Sequence, residues 1–159
     1  MEADICYVSW FEFIRLSDLL IKKVNKKTYD SIVCIGNGGL ILGKIVSEQL
    51  SLPLAVISAK SYDNCDFERK NTEVLIGSIS SSFKIKGHIL LIDDLVDGGF
   101  TMKKVKEHLL KIELVKEITT ATLYKKSHTI FIPDYFIQEL NDWIKFPYEK
   151  YEFHKENVV

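Results

Sequence analysis

Apolar residues recur along this chain in two rhythms. Phe13, Leu16, Leu20 and Val24 stand three or four residues apart, and Ser9 followed by Glu12 resembles a capping box, so the spacing predicts a first helix over 9–24. Ile32-Val33-Cys34-Ile35 is an unbroken apolar run, read as a buried strand. The tight loop Gly36-Asn37-Gly38-Gly39 follows, then a helix over 40–50 with Ile41, Ile45 and Val46 on its apolar face. Pro53 punctuates, and Leu54-Ala55-Val56-Ile57 is the next strand. Residues 60–73 are polar with charge of both signs, which predicts a long mobile loop or an extended hairpin arm, and Val74-Leu75-Ile76 is a brief strand after it. Ile89-Leu90-Leu91-Ile92 is a further buried strand, followed by a helix from about 102 to 112 that turns Met102, Val105, Leu109 and Ile112 inward. Residues 118–124 are strand-like, Tyr135-Phe136-Ile137 is a short strand, and 141–153 is aromatic-rich and irregular.

Strands alternating with helices predict an α/β fold with a central parallel sheet flanked by helices. No internal repeat, low-complexity tract or linker interrupts the chain, so residues 1–159 are expected to form one domain. The C-terminal part leaves the α/β rhythm and is expected to form a small hood over the strand ends.

Composition narrows the function classes. A formal net charge of -1 provides no global basic field to recruit nucleic acid. No 18-residue apolar run occurs, and Glu2 and Asp4 stand early, which argues against a membrane span or a secretory signal. The three cysteines, Cys6, Cys34 and Cys65, are an odd number without metal-like spacing, and read as reduced thiols of a cytoplasmic protein. Cys34 lies in an apolar strand and is read as core rather than as a nucleophile.

The candidate chemistry is concentrated in Ile89-Leu90-Leu91-Ile92-Asp93-Asp94-Leu95-Val96-Asp97-Gly98-Gly99-Phe100-Thr101. Two acids end a buried strand, and a third opens a Gly-Gly turn into a helix. Open α/β sheets bind ligands at the carboxyl ends of their strands, glycines allow close backbone approach, and a helix N-terminus offers unpaired N–H groups to a phosphate. Carboxylates beside a phosphate cradle suit a phosphorylated sugar.

This stretch resembles the phosphoribosyl-diphosphate signature of the type I phosphoribosyltransferases: an apolar strand, two acids, two variable residues, then Asp-Thr-Gly-any-Thr. Asp93, Asp94, Asp97, Gly99 and Thr101 match, and Gly98 stands where the family usually has Thr. The loop Gly36-Asn37-Gly38-Gly39 resembles the family's pyrophosphate loop, with Asn37 in place of an Arg; Lys44, Arg69 and Lys70 are candidates for the missing cation. Ser61-Tyr62-Asp63 resembles the opening of the mobile loop in the purine-salvage branch. Lys125, in Tyr124-Lys125-Lys126, resembles the Lys that donates to O6 of a 6-oxopurine. Residues 142–149 resemble the Trp-Ile-x-x-Pro-Trp-Asp/Glu segment of the xanthine–guanine enzymes, with Trp143, Ile144, Tyr148 and Glu149 at the marked places.

The resemblance implies purine salvage: a 6-oxopurine base and phosphoribosyl diphosphate give nucleoside monophosphate and pyrophosphate. It implies Mg²⁺, with Asp93, Asp94 and Glu149 as metal residues. Asp97 would take the N7 proton as general base. Gly36, Asn37 and Gly38 would hold pyrophosphate, Asp93 and Asp94 the ribose diol, and Gly98, Gly99, Phe100 and Thr101 the 5′-phosphate. Lys125, Trp143 and Ile144 would bind the purine. A dimer or tetramer is expected, with no nucleic acid or membrane partner. Two alternatives stay open: a non-catalytic sensor of phosphoribosyl diphosphate or a nucleotide on the same fold, and a phosphoribosyltransferase of another base specificity.

Overall fold

The computed structural model describes residues 4–63 and 72–151. In chain order the elements are β1 (Ile5–Tyr7), α1 (Trp10–Val24), β2 (Ser31–Gly36), α2 (Leu40–Leu50), β3 (Leu54–Asp63), β4 (Thr72–Ser80), β5 (Gly87–Ile92), β6 (Leu95–Val96), α3 (Phe100–Leu109), β7 (Val115–Ala121), β8 (Tyr124–Lys125), β9 (Gln138–Glu139) and β10 (Trp143–Lys145), closed by a 3₁₀ turn at Pro147–Tyr151.

The two unbroken apolar runs form central strands for a simple reason. Ile32 and Cys34 of β2 enter one core cluster, and Val33 and Ile35 enter the other. Leu90 and Ile92 of β5 divide from Ile89 and Leu91 in the same way. A strand buried on both faces leaves no alternate position for a polar residue. Helices α1 and α2 cover one face through Phe13, Leu16, Leu20, Leu42 and Val46, and α3 covers the other through Met102, Val105 and Leu109. The Glu12 N–H donates to Ser9 Oγ at 3.1 Å, but the Glu12 carboxylate turns to Arg15 at 2.7 Å, so the expected box is a one-way cap.

The five-stranded sheet has the order β4-β3-β2-β5-β7. All its pairings are parallel except β3 with β4, which makes it a mixed sheet with an antiparallel edge. The ends of the polar 60–73 stretch lie in β3 and β4, so the described part of this stretch is a hairpin arm; residues 64–71 lie outside the described residues.

Other boundaries differ from expectation. Helix α3 starts at Phe100 and ends at Leu109, while Ile112 sits in a turn, its N–H donating to the Leu109 carbonyl. The 118–124 stretch splits: β7 ends at Ala121, and β8 starts at Tyr124 in a separate three-stranded sheet of order β6-β8-β9. The split occurs because the Leu123 and Tyr124 N–H groups both donate to the Asp94 carbonyl, pulling the chain off the central sheet. Tyr135 makes only an isolated bridge to Ala121, and the strand comes later, at β9. The expected irregular tail contains β10, which pairs in parallel with β1, an N-terminal strand too short for periodicity to reveal.

The topology fixes where a ligand can sit. From β2 the chain passes outward to β3 and β4, then returns to β5 on β2's other side. The carboxyl ends of β2 and β5 lie together, with Cys34 opposite Ile92, and the loops leaving them diverge. That divergence is the switch-point crevice of open α/β sheets.

Candidate functional site

A cavity of about 580 Å³ opens at this crevice, lined by residues 35–38, 59–61 and 93–102 together with Glu149. Asp93, Asp94, Asp97, Gly98, Gly99 and Thr101 of the signature and Gly36, Asn37 and Gly38 of the β2 loop therefore face one space. The peptide bond between Gly36 and Asn37 is cis.

Asp93 and Asp94 form the floor. The Asp94 N–H donates to Asp93 Oδ1 at 2.9 Å, and the Tyr148 hydroxyl donates to the Asp94 carboxylate. Removal from water raises the proton affinity of both carboxyls, and in Asp93 the neighbouring Asp94 charge adds to it. Gly38 packs directly against Asp94: a Cβ there would come within 2.7 Å of both Asp94 carboxylate oxygens. Tyr148 is held by its ring, stacked on Phe146 at 5.4 Å and edge-on to Phe13 at 5.7 Å. Burial and the Asp94 charge push its hydroxyl far above the usual tyrosine range, so it remains a proton donor.

The turn 98–101 supplies the other wall. Gly99 adopts φ +89°, and a Cβ there would meet Thr129 Oγ1 at 2.5 Å and the Phe131 nitrogen at 2.8 Å. Among the described residues no side chain caps α3, so the N–H groups of its first turn are left for a ligand. Asp97 is exposed on the rim, and His128 Nε2 lies 2.8 Å from Asp97 Oδ1.

Some expected residues lie elsewhere. Lys125, Trp143 and Ile144 are not among the cavity-lining residues. Lys125 is buried, pairs with Glu139, and sits 5.0 Å over the Phe136 ring. Trp143 is 63% exposed, and its N–H donates to the Asp4 carbonyl at 2.9 Å, while the Ile144 side chain is buried. Lys44 pairs with Glu48 on the outer surface of α2, away from the cavity. Arg69 and Lys70 lie outside the described residues. Ser61 lines the cavity.

Three contacts escaped the reading of the sequence. Lys60 lines the cavity, and the signal for it was alternation running past Ile57 to Ala59, which extends β3 to the site. The reach of Tyr148 to Asp94 needed its hydroxyl to be weighed as well as its ring. The Asp97–His128 pair joins residues 31 apart, and no local pattern announces it.

A family model described as "Phosphoribosyl transferase domain" matches residues 9–151. The xanthine-guanine phosphoribosyltransferase of Idiomarina loihiensis is 30% identical over 157 residues, 96% of this chain and 92% of its own length. The purine phosphoribosyltransferase from Pyrococcus horikoshii Ot3 superposes with a TM-score of 0.80 at 30% identity, over 96% of this chain and 99% of its own. The xanthine-guanine-hypoxanthine phosphoribosyltransferase of Helicobacter pylori superposes with a TM-score of 0.75 at 26% identity, over 91% and 94%.

Proposed function

The chain belongs to the phosphoribosyl transferase domain family, and on that premise we propose that it joins a 6-oxopurine base to phosphoribosyl diphosphate, releasing pyrophosphate. The observation that carries this reading is the shared cavity: Asp93, Asp94 and Asp97, the N-terminus of α3 and the 36–38 loop face one space.

Purine N9 bonds to C1′ of the sugar while the bond from C1′ to the pyrophosphate oxygen breaks, the electron pair leaving with pyrophosphate. The N7 proton passes to Asp97, which is exposed on the rim and so within reach of an entering base. Asp93 and Asp94 hold the ribose hydroxyls. The N–H groups of the first turn of α3, with the Thr101 hydroxyl, hold the 5′-phosphate. The 36–38 loop faces the pyrophosphate. Because the transition state carries sugar cation character, catalysis rests largely on placement and on charge arranged in advance.

Among the described residues no three His, Cys, Asp or Glu side chains converge on a common point. That suits Mg²⁺, which is commonly held by one or two carboxylates together with substrate phosphates and water. Asp93 and Asp94 would hold it, and Glu149, which also lines the cavity, would face a second ion; when bound, Mg²⁺ would neutralise charge on the leaving pyrophosphate.

The proposed base site is formed by Lys125 and β10, which do not line the cavity. Lys has three N–H donors, so pairing with Glu139 orients Lys125 and leaves two for a purine O6. An adenine amino group would set donor against donor there. The Trp143 N–H and the Lys145 carbonyl bond toward β1, so the intervening Ile144 turns its backbone groups to the other edge of β10, where a purine edge can pair. Exposed Tyr7, Phe11 and Trp143 support assembly as a dimer or tetramer, and the free thiols Cys6 and Cys34 support a cytoplasmic setting. Among the described residues no helix is long and apolar enough to cross a membrane.

The test is direct. Purified protein, phosphoribosyl diphosphate and Mg²⁺ are incubated with guanine, xanthine, hypoxanthine and adenine in turn, and nucleotide is measured. The 6-oxopurines are converted, adenine is not, and chelation of the metal stops the reaction. Tight binding of phosphoribosyl diphosphate without turnover of any base would establish the sensor instead.

A further inference from the structure

We propose that His128 is a positioning residue for Asp97, fixing which carboxylate oxygen receives the proton. This rests on the transferase reading of the site and goes beyond it by assigning a partner to the base.

Backbone register brings His128 to Asp97. The Lys126 N–H donates to the Val96 carbonyl at 2.9 Å, and the Ile130 N–H donates to the Gly98 carbonyl at 3.0 Å. Val96 and Gly98 are the two neighbours of Asp97, and Lys126 and Ile130 bracket His128. Residues 126–130 are therefore tethered on both sides of Asp97, which sets His128 opposite it. The loop cannot drift away locally, because Thr129 and Phe131 pack against Gly99 where a Cβ would not fit.

A carboxylate only accepts hydrogen bonds, so the 2.8 Å contact places the proton on His128 Nε2 and makes the imidazole the donor to Asp97 Oδ1. The other Asp97 oxygen is left to take the purine proton. An unsupported carboxylate on an exposed rim rotates freely, and catalysis by a placed base depends on its being held in one orientation. The segment that carries His128 also begins beside Lys125, so the base-recognition strand and the acceptor of the base's proton are joined through one short loop.

The experiment measures kcat and both KM values for wild type, His128→Ala, His128→Gln and the pair His128→Ala with Asp97→Asn. The expected result for His128→Ala is a kcat loss of about tenfold, in the range of one orienting hydrogen bond, with little change in either KM. His128→Gln, which keeps an N–H donor, recovers most of that loss. In the Asp97→Asn background His128→Ala removes nothing further, because the group it serves is gone. An unchanged kcat in His128→Ala, or a full additional loss in the Asp97→Asn background, overturns the inference while the transferase reading stands. Wild-type protein that converts no base overturns both.

Discussion

The Tyr148 hydroxyl donates to the Asp94 carboxylate and lies 3.3 Å from the Gly38 carbonyl oxygen, so one side chain from the C-terminal hood touches both loops of the cavity. Tyr148→Phe keeps the ring stack on Phe146 and removes only this donor. A hydrogen bond to a charged group is worth about 1.5–3 kcal/mol. The expected outcome is a loss of stability near the lower end of that range in urea denaturation, together with a higher KM for phosphoribosyl diphosphate. An unchanged unfolding midpoint would show that water replaces the hydroxyl without cost.

Asp97→Asn preserves shape and removes the proton acceptor. The expected loss in kcat is about 10²–10⁴-fold, the range of general acid–base catalysis, with far less change in affinity for phosphoribosyl diphosphate. Isothermal titration beside steady-state kinetics separates the two. Parallel losses in both would mark Asp97 as structural.

The two glycines of the turn are not equivalent. Gly99 combines φ +89° with backbone and side-chain atoms of residues 129 and 131 in the space a Cβ needs, whereas a Cβ on Gly98 meets only the Phe100 ring, at 3.1 Å. Gly99→Ala is expected to cost about 1–3 kcal/mol from backbone strain alone, and more from the clash. Gly98→Ala is expected to cost less than half as much, because a single ring can shift. Thermal unfolding of the two variants in parallel tests the order.

This contrast also shows what the sequence carried and what it did not. The strands β2 and β5 and the inward faces of α1 and α3 were legible because burial on one or both faces leaves a periodic trace. The acids Asp93, Asp94 and Asp97 were legible because their chemistry is packed into one contiguous run. β1 and β10 were not, since three-residue strands leave no period to read. Lys60, His128 and the hydroxyl of Tyr148 reach the site or its acids through tertiary placement, which one-dimensional spacing does not encode. Gly98 and Gly99 look alike in sequence, and only the approach of the 129–131 loop distinguishes them.

Burial pushes the Tyr29 and Tyr124 hydroxyls up to about 12. The unfolded chain ionises these groups near pH 10, so between the two values the native state binds more protons than the unfolded state. Stability contributed by these groups is complete below pH 10 and falls as pH rises through this window. Tyr29→Phe is expected to reduce the steepness of alkaline destabilisation, at the cost at neutral pH of its hydrogen bond to the Val24 carbonyl. Denaturation midpoints at intervals from pH 8 to about 12 report the slope. Equal slopes in variant and wild type would place the alkaline transition on other groups.

The cavity is rich in negative charge. Its lining carries four carboxylates, Asp93, Asp94, Asp97 and Glu149, and among these lining residues the one Lys or Arg is Lys60. Phosphoribosyl diphosphate is strongly anionic, and its pyrophosphate must approach the 36–38 loop, where Asn37 brings a neutral amide. Lys60 of the adjacent strand is expected to supply the cation that this loop lacks, since Gly36 of β2 pairs with Ser58 of β3, two residues before it. Lys60→Met keeps much of the stem and removes the charge. Because the side chain is exposed, its contribution is discounted from the buried value, and a rise of about tenfold in KM for phosphoribosyl diphosphate is expected, with the purine KM unchanged. The same variant should show a weaker dependence of that KM on salt, since one charge–charge attraction has been removed. Adding Asn37→Arg to Lys60→Met then recovers binding, because a guanidinium in the loop offers the pyrophosphate a fork of charged donors from the opposite side. An unaltered KM and salt slope in Lys60→Met would show that the pyrophosphate draws its cation from another part of the chain.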